Sequence, residues 1–218
     1  MTLAIFDLDN TLLGGDSDHA FGEFACESGL VEAAGFSARN DAFYADYQAG
    51  ELDIDAYLRH ALSPLAGQSK ATAQRWHEDF MRTKIEPMLL PKATALVEKH
   101  RRQGDRLLII TATNRYITEP IAQRLGIDEL IACDAEIVDG HYTGAPVGTP
   151  SYGVGKVTRL REWLEDTGES LTGSWFYSDS HNDIPLLAEV DHAVAVDPDE
   201  RLSAHAQAQG WPIISLRD

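Results

Sequence analysis

The chain predicts an α/β fold, a doubly wound, mostly parallel sheet with a block of helices inserted after its first strand. Three observations carry this. Short strand-like runs occur at Leu3 to Phe6, Leu107 to Ile110, Ser174 to Tyr177 and Ala193 to Val196, with the length of buried strands. Helical patterns separate them, as parallel pairing requires. From about His19 to Ile85 the pattern is helical with no strand signal. Residues 1–14 and 86–218 are therefore assigned to the α/β core and 15–85 to a helical insertion.

Taken in order, the first strand runs into Asp7-Leu8-Asp9-Asn10-Thr11, and Gly14-Gly15 make a turn. Ser17 or Asp18 caps a helix opening around His19, with Phe21, Phe24 and Ala25 on one face and Gly29 as its stop. Two further stripes follow at helical spacing: Ile54, Leu58, Ala61, Leu65, then Ala73, Trp76, Phe80, Met81, the latter capped by Ser69. Pro87 and Pro91 mark the return to the sheet, and Lys92 to Gln103 reads as a helix closed by Gly104. The second strand gives way to Thr111-Ala112-Thr113-Asn114. Pro120 opens a helix that Gly126 closes. Ile131 to Val138 and His141 to Val147 flank Asp139-Gly140, a hairpin signal. Gly155-Lys156 begins a helix ending near Gly168, Pro185 fits the first turn of another, and Ile213 to Leu216 supplies the last strand.

Composition narrows the function. The 218 residues are 44% hydrophobic, enough for a packed core, and carry a formal net charge of -17. That charge argues against sequence-independent binding to nucleic acid or anionic lipid and favours a divalent cation as partner. Cys26 and Cys133 form no C-x-x-C pair, and Cys26 reads as buried filler in a helix. The N-terminal residues lack the basic region of a signal peptide, and no apolar run is long enough to span a bilayer. A cytoplasmic protein is expected.

In doubly wound sheets ligands bind beyond the carboxyl ends of the strands. Asp7 and Asp9 follow one strand, Thr111 a second, and Asp179 and Asp183 a third, so folding is expected to gather them on one rim, joined by Lys156 from a helix start. Clustered carboxylates at buried strand ends are costly unless a cation or a proton compensates them. Gly153-Val154-Gly155-Lys156 looks like part of a phosphate-binding loop, but Pro150 and Val157 stand where that motif needs Gly and Ser or Thr.

The ordered set Asp7-Leu8-Asp9-Asn10-Thr11, Thr111, Lys156 and Asp179-Ser180-His181-Asn182-Asp183 resembles the haloacid dehalogenase superfamily of phosphohydrolases, and it spans nearly the whole chain. The resemblance implies a Rossmann-like core with a helical cap, and a Mg²⁺-dependent phosphomonoesterase. Asp7 would be the nucleophile, forming an aspartyl-phosphate, and Asp9 the general acid and base. Asp7, Asp179 and the Asp9 backbone carbonyl would bind Mg²⁺, with Asp183 beside them and Asn182 orienting the loop. Thr111, backbone N–H groups near Ala112, and Lys156 would hold the phosphate. A phospho-accepting receiver module is the non-enzyme alternative.

The finer texture of Thr111-Ala112-Thr113-Asn114 departs from the Ser-Gly-Gly pattern of phosphoserine phosphatases and looks closer to stand-alone histidinol-phosphate phosphatases of amino-acid biosynthesis. The expected partner is a small phosphorylated metabolite bearing an amine: histidinol phosphate, with phosphoserine or a broad range of phosphomonoesters as alternatives. Asp16 or Asp18 could bind that amine. A substrate carboxylate would also want an arginine, with Arg39 and Arg59 as candidates. Phe21, Tyr44 and Trp76 could pack on an imidazole, although core packing is the default for each.

Overall fold

The computed structural model describes residues 2–217. Its strands are β1 (Leu3–Phe6), β2 (Arg106–Asn114), β3 (Glu129–Val138), β4 (His141–Val147), β5 (Trp175–Ser178), β6 (His192–Val196) and β7 (Ile213–Ile214). They form one sheet in the order β4-β3-β2-β1-β5-β6-β7. Pairing is parallel throughout except for the antiparallel β3–β4 hairpin. At its turn Asp139 and Gly140 have φ of 49° and 78°, the twist a two-residue hairpin favours.

Alternation along β1 sends Ala4 and Phe6 to one face of the sheet and Leu3 and Ile5 to the other. The helices are α1 (Ser17–Glu27), α2 (Ala33–Ala49), α3 (Ile54–Leu62), α4 (Lys70–Phe80), α5 (Pro91–Gln103), α6 (Arg115–Arg124), α7 (Val154–Thr167), α8 (Ile184–Leu187) and α9 (Glu200–Gln209). Residues of α1, α4, α5 and α6 share the buried cluster of Phe6, whereas those of α7, α8 and α9 share the cluster of Ile5. Both faces are covered, as a parallel sheet requires.

The inserted segment leaves and rejoins the sheet at one place. Leu13 pairs with Leu89, and Gly14 N donates to Met88 O at 2.7 Å. Within it Phe21, Phe24 and Phe80 pack edge-on or tilted against one another, in the same cluster as Phe6 and Ile109. The insertion is thus bonded into the core through α1 and α4. Helix α2 is different: among the described residues its buried side chain is Asn40.

Several boundaries differ from the sequence reading. Helix α1 is capped by Asp16, whose Oδ1 accepts from Asp18 N and His19 N, so neither Ser17 nor Asp18 is the cap. Strand β2 continues through Thr111–Asn114, with a register shift against β3 between Ile110 and Asn114. Asn114 then caps α6 through Ile117 N, and Pro120 falls inside that helix instead of opening it. Strand β7 stops at Ile214. Cys26 is half-buried, whereas Cys133 is buried. Helix α9, which the sequence reading did not assign, is capped by Asp199 through Leu202 N and ends at Gly210.

Because Phe80 is fully buried among Phe21, Phe24 and His77, Phe80→Ala is expected to lower the unfolding free energy by about 3–5 kcal/mol in urea titration.

Candidate active site

Strand β1 ends at Phe6, and Asp7 N still donates to Tyr177 O at 2.9 Å, carrying the ladder one residue further. The chain then coils: Leu12 N and Leu13 N both reach back to Leu8 O, and Asn10 takes φ 56°. This coil presents Asp7 and Asp9 to different partners in one cavity.

Asp7 is buried and its Oδ1 accepts from Lys156 Nζ at 2.8 Å. The same ammonium donates to Asp183 Oδ2 at 2.7 Å, which also accepts from Ser178 Oγ at 2.7 Å. Thr11 Oγ1 donates to Asp179 Oδ1 at 3.1 Å, lies 3.4 Å from Asp7 Oδ2, and accepts from Asp179 N. Asp9 is held by Ser17 N at 2.6 Å on one oxygen and Thr113 Oγ1 at 2.8 Å on the other. Thr111 Oγ1 accepts from Thr113 N at 3.2 Å. Asp7, Asp9, Thr111, Ala112, Lys156, Asp179 and Asp183 therefore meet on one rim. Asn182 extends from the Asp179–Asp183 loop toward Tyr47 O, at 3.2 Å.

Lys156 arrives by a close backbone approach. A Cβ on Gly155 would lie 2.1 Å from Pro150 O, so the glycine permits the turn that starts α7. The Gly-x-Gly-Lys likeness thus has a packing cause.

Burial sets the electrostatics. Desolvation pushes Asp7 up to about 7, against Lys156, which pulls it down; Asp183 adds to the rise. Burial, then the Asp16 charge, pushes Asp9 up to about 6. Burial raises Asp179 well above the usual carboxylate range, helped by Asp7 and Asp183. Lys156 is itself raised, its two carboxylate partners outweighing burial. One ammonium among three close carboxylates leaves negative charge over, and hard oxygen donors suit a divalent cation such as Mg²⁺. Among the described residues no three His, Cys, Asp or Glu side chains converge tightly enough to enclose an ion alone. A site here would draw on two carboxylates, a backbone carbonyl and waters, which is the manner in which Mg²⁺ is usually held.

A cavity of about 40 Å³ opens from Asp7, Asp9 and Thr111–Thr113 toward the insertion. Its far wall is Asp16, His19, Asn40, Phe43, Tyr44 and Tyr57, with Leu52 and Ile54. Of the expected substrate residues, Asp16 and Tyr44 line it. Asp18 is buried beside Tyr57 and does not. Arg39 and Arg59 are exposed and do not line it either, since each projects from the solvent side of its helix. Phe21 and Trp76 belong to the hydrophobic clusters, as core packing predicted. The sequence reading missed Thr11 and Thr113, whose hydroxyls order the carboxylates, and the wall residues His19, Asn40, Phe43, Tyr47 and Tyr57. The two threonines lay inside motifs already quoted, so adjacency to Asp9 and Thr111 was a usable signal.

A strand-end acidic rim beneath a helical insertion defines the class, a doubly wound α/β protein with its site at the carboxyl edge of the sheet. Residues 4–188 match the model of haloacid dehalogenase-like hydrolases, and the chain belongs to that family. It is an enzyme of the family's phosphatase type, which removes the receiver-module alternative. A histidinol-phosphatase of Neisseria meningitidis serogroup C (strain 8013) is 46% identical, covering 99% of each chain. Phosphoserine phosphatase SerB1 of Mycobacterium tuberculosis is 34% identical over 98% of this chain and 70% of its own length. A crystal structure from Bordetella pertussis Tohama I, described as of unknown function, is 42% identical with a TM-score of 0.92, covering 99% of this chain and 100% of that one. Among the described residues no helix is long and apolar enough to cross a membrane.

The buried Lys156 yields a stability prediction. Lys156→Met in metal-free protein leaves Asp7 and Asp183 uncompensated and is expected to cost about 3–5 kcal/mol at pH 8. Asp7 already has a folded pKa above its unfolded one, and losing the ammonium raises it further, so the folded variant gains a proton as pH falls. The loss measured by urea unfolding should therefore shrink toward pH 6. An equal loss at both pH values would show that Lys156 does not compensate Asp7.

Proposed function

We propose that the protein hydrolyses a small amine-bearing phosphomonoester, with histidinol phosphate as its substrate, through a phosphate ester of Asp7. The observation that carries the substrate is the chamber wall. It offers the Asp16 carboxylate, the His19 ring and the aromatic rings of Phe43, Tyr44 and Tyr57, and among the described residues no arginine or lysine lines it. An ammonium finds a carboxylate and ring faces there, and an imidazole finds flat apolar partners. A substrate carboxylate would be buried with no guanidinium to receive it. This favours histidinol phosphate over phosphoserine. The 46% identity to a histidinol-phosphatase points the same way.

In this reading Asp7 attacks phosphorus, the ester oxygen leaves, and Asp9 delivers a proton to it. A carboxyl group held near 6 can hold that proton at near-neutral pH and then accept one from the water that attacks phospho-Asp7. The Asp9 bonds to Ser17 N and Thr113 Oγ1 fix its direction through both steps. Lys156 balances Asp7 and the phosphoryl oxygens, which Thr111 and the backbone near Ala112 also receive. Asp7, Asp179 and the Asp9 carbonyl would hold Mg²⁺, with Asp183 beside them. When bound, the ion neutralises charge on the phosphoryl group. Residues 15–85 would act as the cap that excludes water and selects substrate.

The test is kcat/KM with Mg²⁺ across histidinol phosphate, phosphoserine and sugar phosphates. A preference for histidinol phosphate of at least about tenfold is expected; comparable rates on all would reject the substrate assignment. Asp7→Asn should retain the circular dichroism of the parent and lose at least about 10⁴-fold in turnover. EDTA should abolish activity, and added Mg²⁺ should restore it.

A further inference from the structure

We propose that Arg201 and Gly50 are positioning residues that latch the carboxyl end of α2 to the Asp179–Asp183 loop and so hold the chamber wall in place. The proposal rests on the reading of that chamber as the substrate site.

Helix α2 has 17 residues, and among the described residues Asn40 is its buried one. Fully buried apolar side chains therefore do not seat it, least of all at its carboxyl end. Half-buried Phe36 and Phe43 pack on His60 and Tyr57 of α3, and the polar attachments of α2 lie at two further places. Toward α1, Asn40 Nδ2 donates to His19 O at 3.1 Å and His19 Nε2 meets Asp41 Oδ1 at 2.9 Å. At the carboxyl end, Asn182 Nδ2 donates to Tyr47 O at 3.2 Å and Arg201 Nη1 to Ala49 O at 2.8 Å. The last carbonyls of a helix have no partner within it, and a cation there also suits the helix dipole.

The latch is continuous with the catalytic side. Arg201 Nη1 lies 3.2 Å from His181 Nε2, so that nitrogen accepts and His181 Nδ1 donates to Asp199 Oδ2 at 2.7 Å. Tyr152 donates to Asn182 Oδ1 at 3.2 Å, fixing the amide that faces Tyr47. Gly50, at φ 74°, closes α2 directly over this group. A Cβ there would lie 2.7 Å from His181 Nε2 and 3.2 Å from Arg201 Nη1. A side chain at position 50 would have to displace the His181 ring or the Arg201 guanidinium, the two groups that make the latch.

Helix α2 is also a partition. Tyr44 and Tyr47 line both the inner chamber and an open groove of about 300 Å³ that reaches Asp179, His181 and Asp199. The inner chamber, at about 40 Å³, has room for a few waters. The latch holds this partition, and with it the Tyr44 and Tyr47 side of the chamber wall, in place.

The experiment compares Arg201→Ala, Arg201→Lys and Gly50→Ala with the parent, using histidinol phosphate and p-nitrophenyl phosphate with Mg²⁺. Gly29→Ala serves as control, since Gly29 has φ 67° and open space around its Cβ. Arg201→Ala and Gly50→Ala should each lower kcat/KM about tenfold or more, mainly through KM, with Arg201→Lys recovering most of the loss and Gly29→Ala showing none. Amide hydrogen exchange over Ala33–Ala49 should quicken about tenfold in the two impaired variants while α7 keeps the parent rate. Parent-like kinetics or parent-like α2 exchange in both would overturn the latch, as would equal quickening of α2 and α7. An inactive parent would instead reject the chamber reading, and the exchange arm would still decide the latch.

Discussion

Like charges gathered at the carboxyl edge of a buried sheet must be compensated, and that requirement governs the molecule around it. Asp7, Asp179 and Asp183 come from the ends of two adjacent strands, β1 and β5, where burial alone raises their cost. Lys156 reaches two of them from the first turn of α7, which is possible because Gly155 lets the backbone pass close to Pro150. Thr11 joins Asp7 to Asp179, and Ser178 holds Asp183. Each of these contacts fixes a carboxylate that would otherwise rotate toward water. The charge left over is what a divalent cation would answer.

The same rim explains the division of labour between Asp7 and Asp9. They are two residues apart, yet the coil after β1 turns one toward an ammonium and the other toward a hydroxyl and a backbone N–H. Asp7 is thereby tied to an ammonium, whereas Asp9 sits beside Asp16 and is held by neutral donors; burial raises both, Asp7 to about 7 and Asp9 to about 6, and among the described residues a cation is bonded to Asp7 alone of the two. Two carboxyl groups with contrasting surroundings are the usual basis for contrasting roles.

Much of the fold was legible because buried parallel strands leave continuous apolar runs, and because carboxylates, Thr111 and Lys156 sit at their ends. The cap of α1 was misplaced by one or two residues because Asp16, Ser17 and Asp18 are all good capping types, and only geometry shows which oxygen reaches the free N–H groups. Pro120 misled because Asn114, the true cap of α6, lies inside what was read as strand-end polarity. Helix α9 escaped notice because its buried face is Leu202 and Ala206 among alanines and glutamines, a weak stripe. The chamber wall was the least legible part. His19, Phe43, Tyr44 and Tyr57 lie on three helices whose mutual arrangement no local pattern encodes, and Arg59 was drawn in by chemistry that its helix points away from.

The insertion begins and ends side by side, with Leu13 paired to Leu89 across the two crossing strands of chain. The closure distance of that excursion is thus set by the sheet and not by its contents. Lengthening or exchanging what lies between costs little in loop entropy, so long as new helices still cover Phe6 and Ile109. A graft at this junction would therefore leave Lys156, Asp179 and Asp183 in place, provided it kept the start of α1, where Ser17 N holds Asp9.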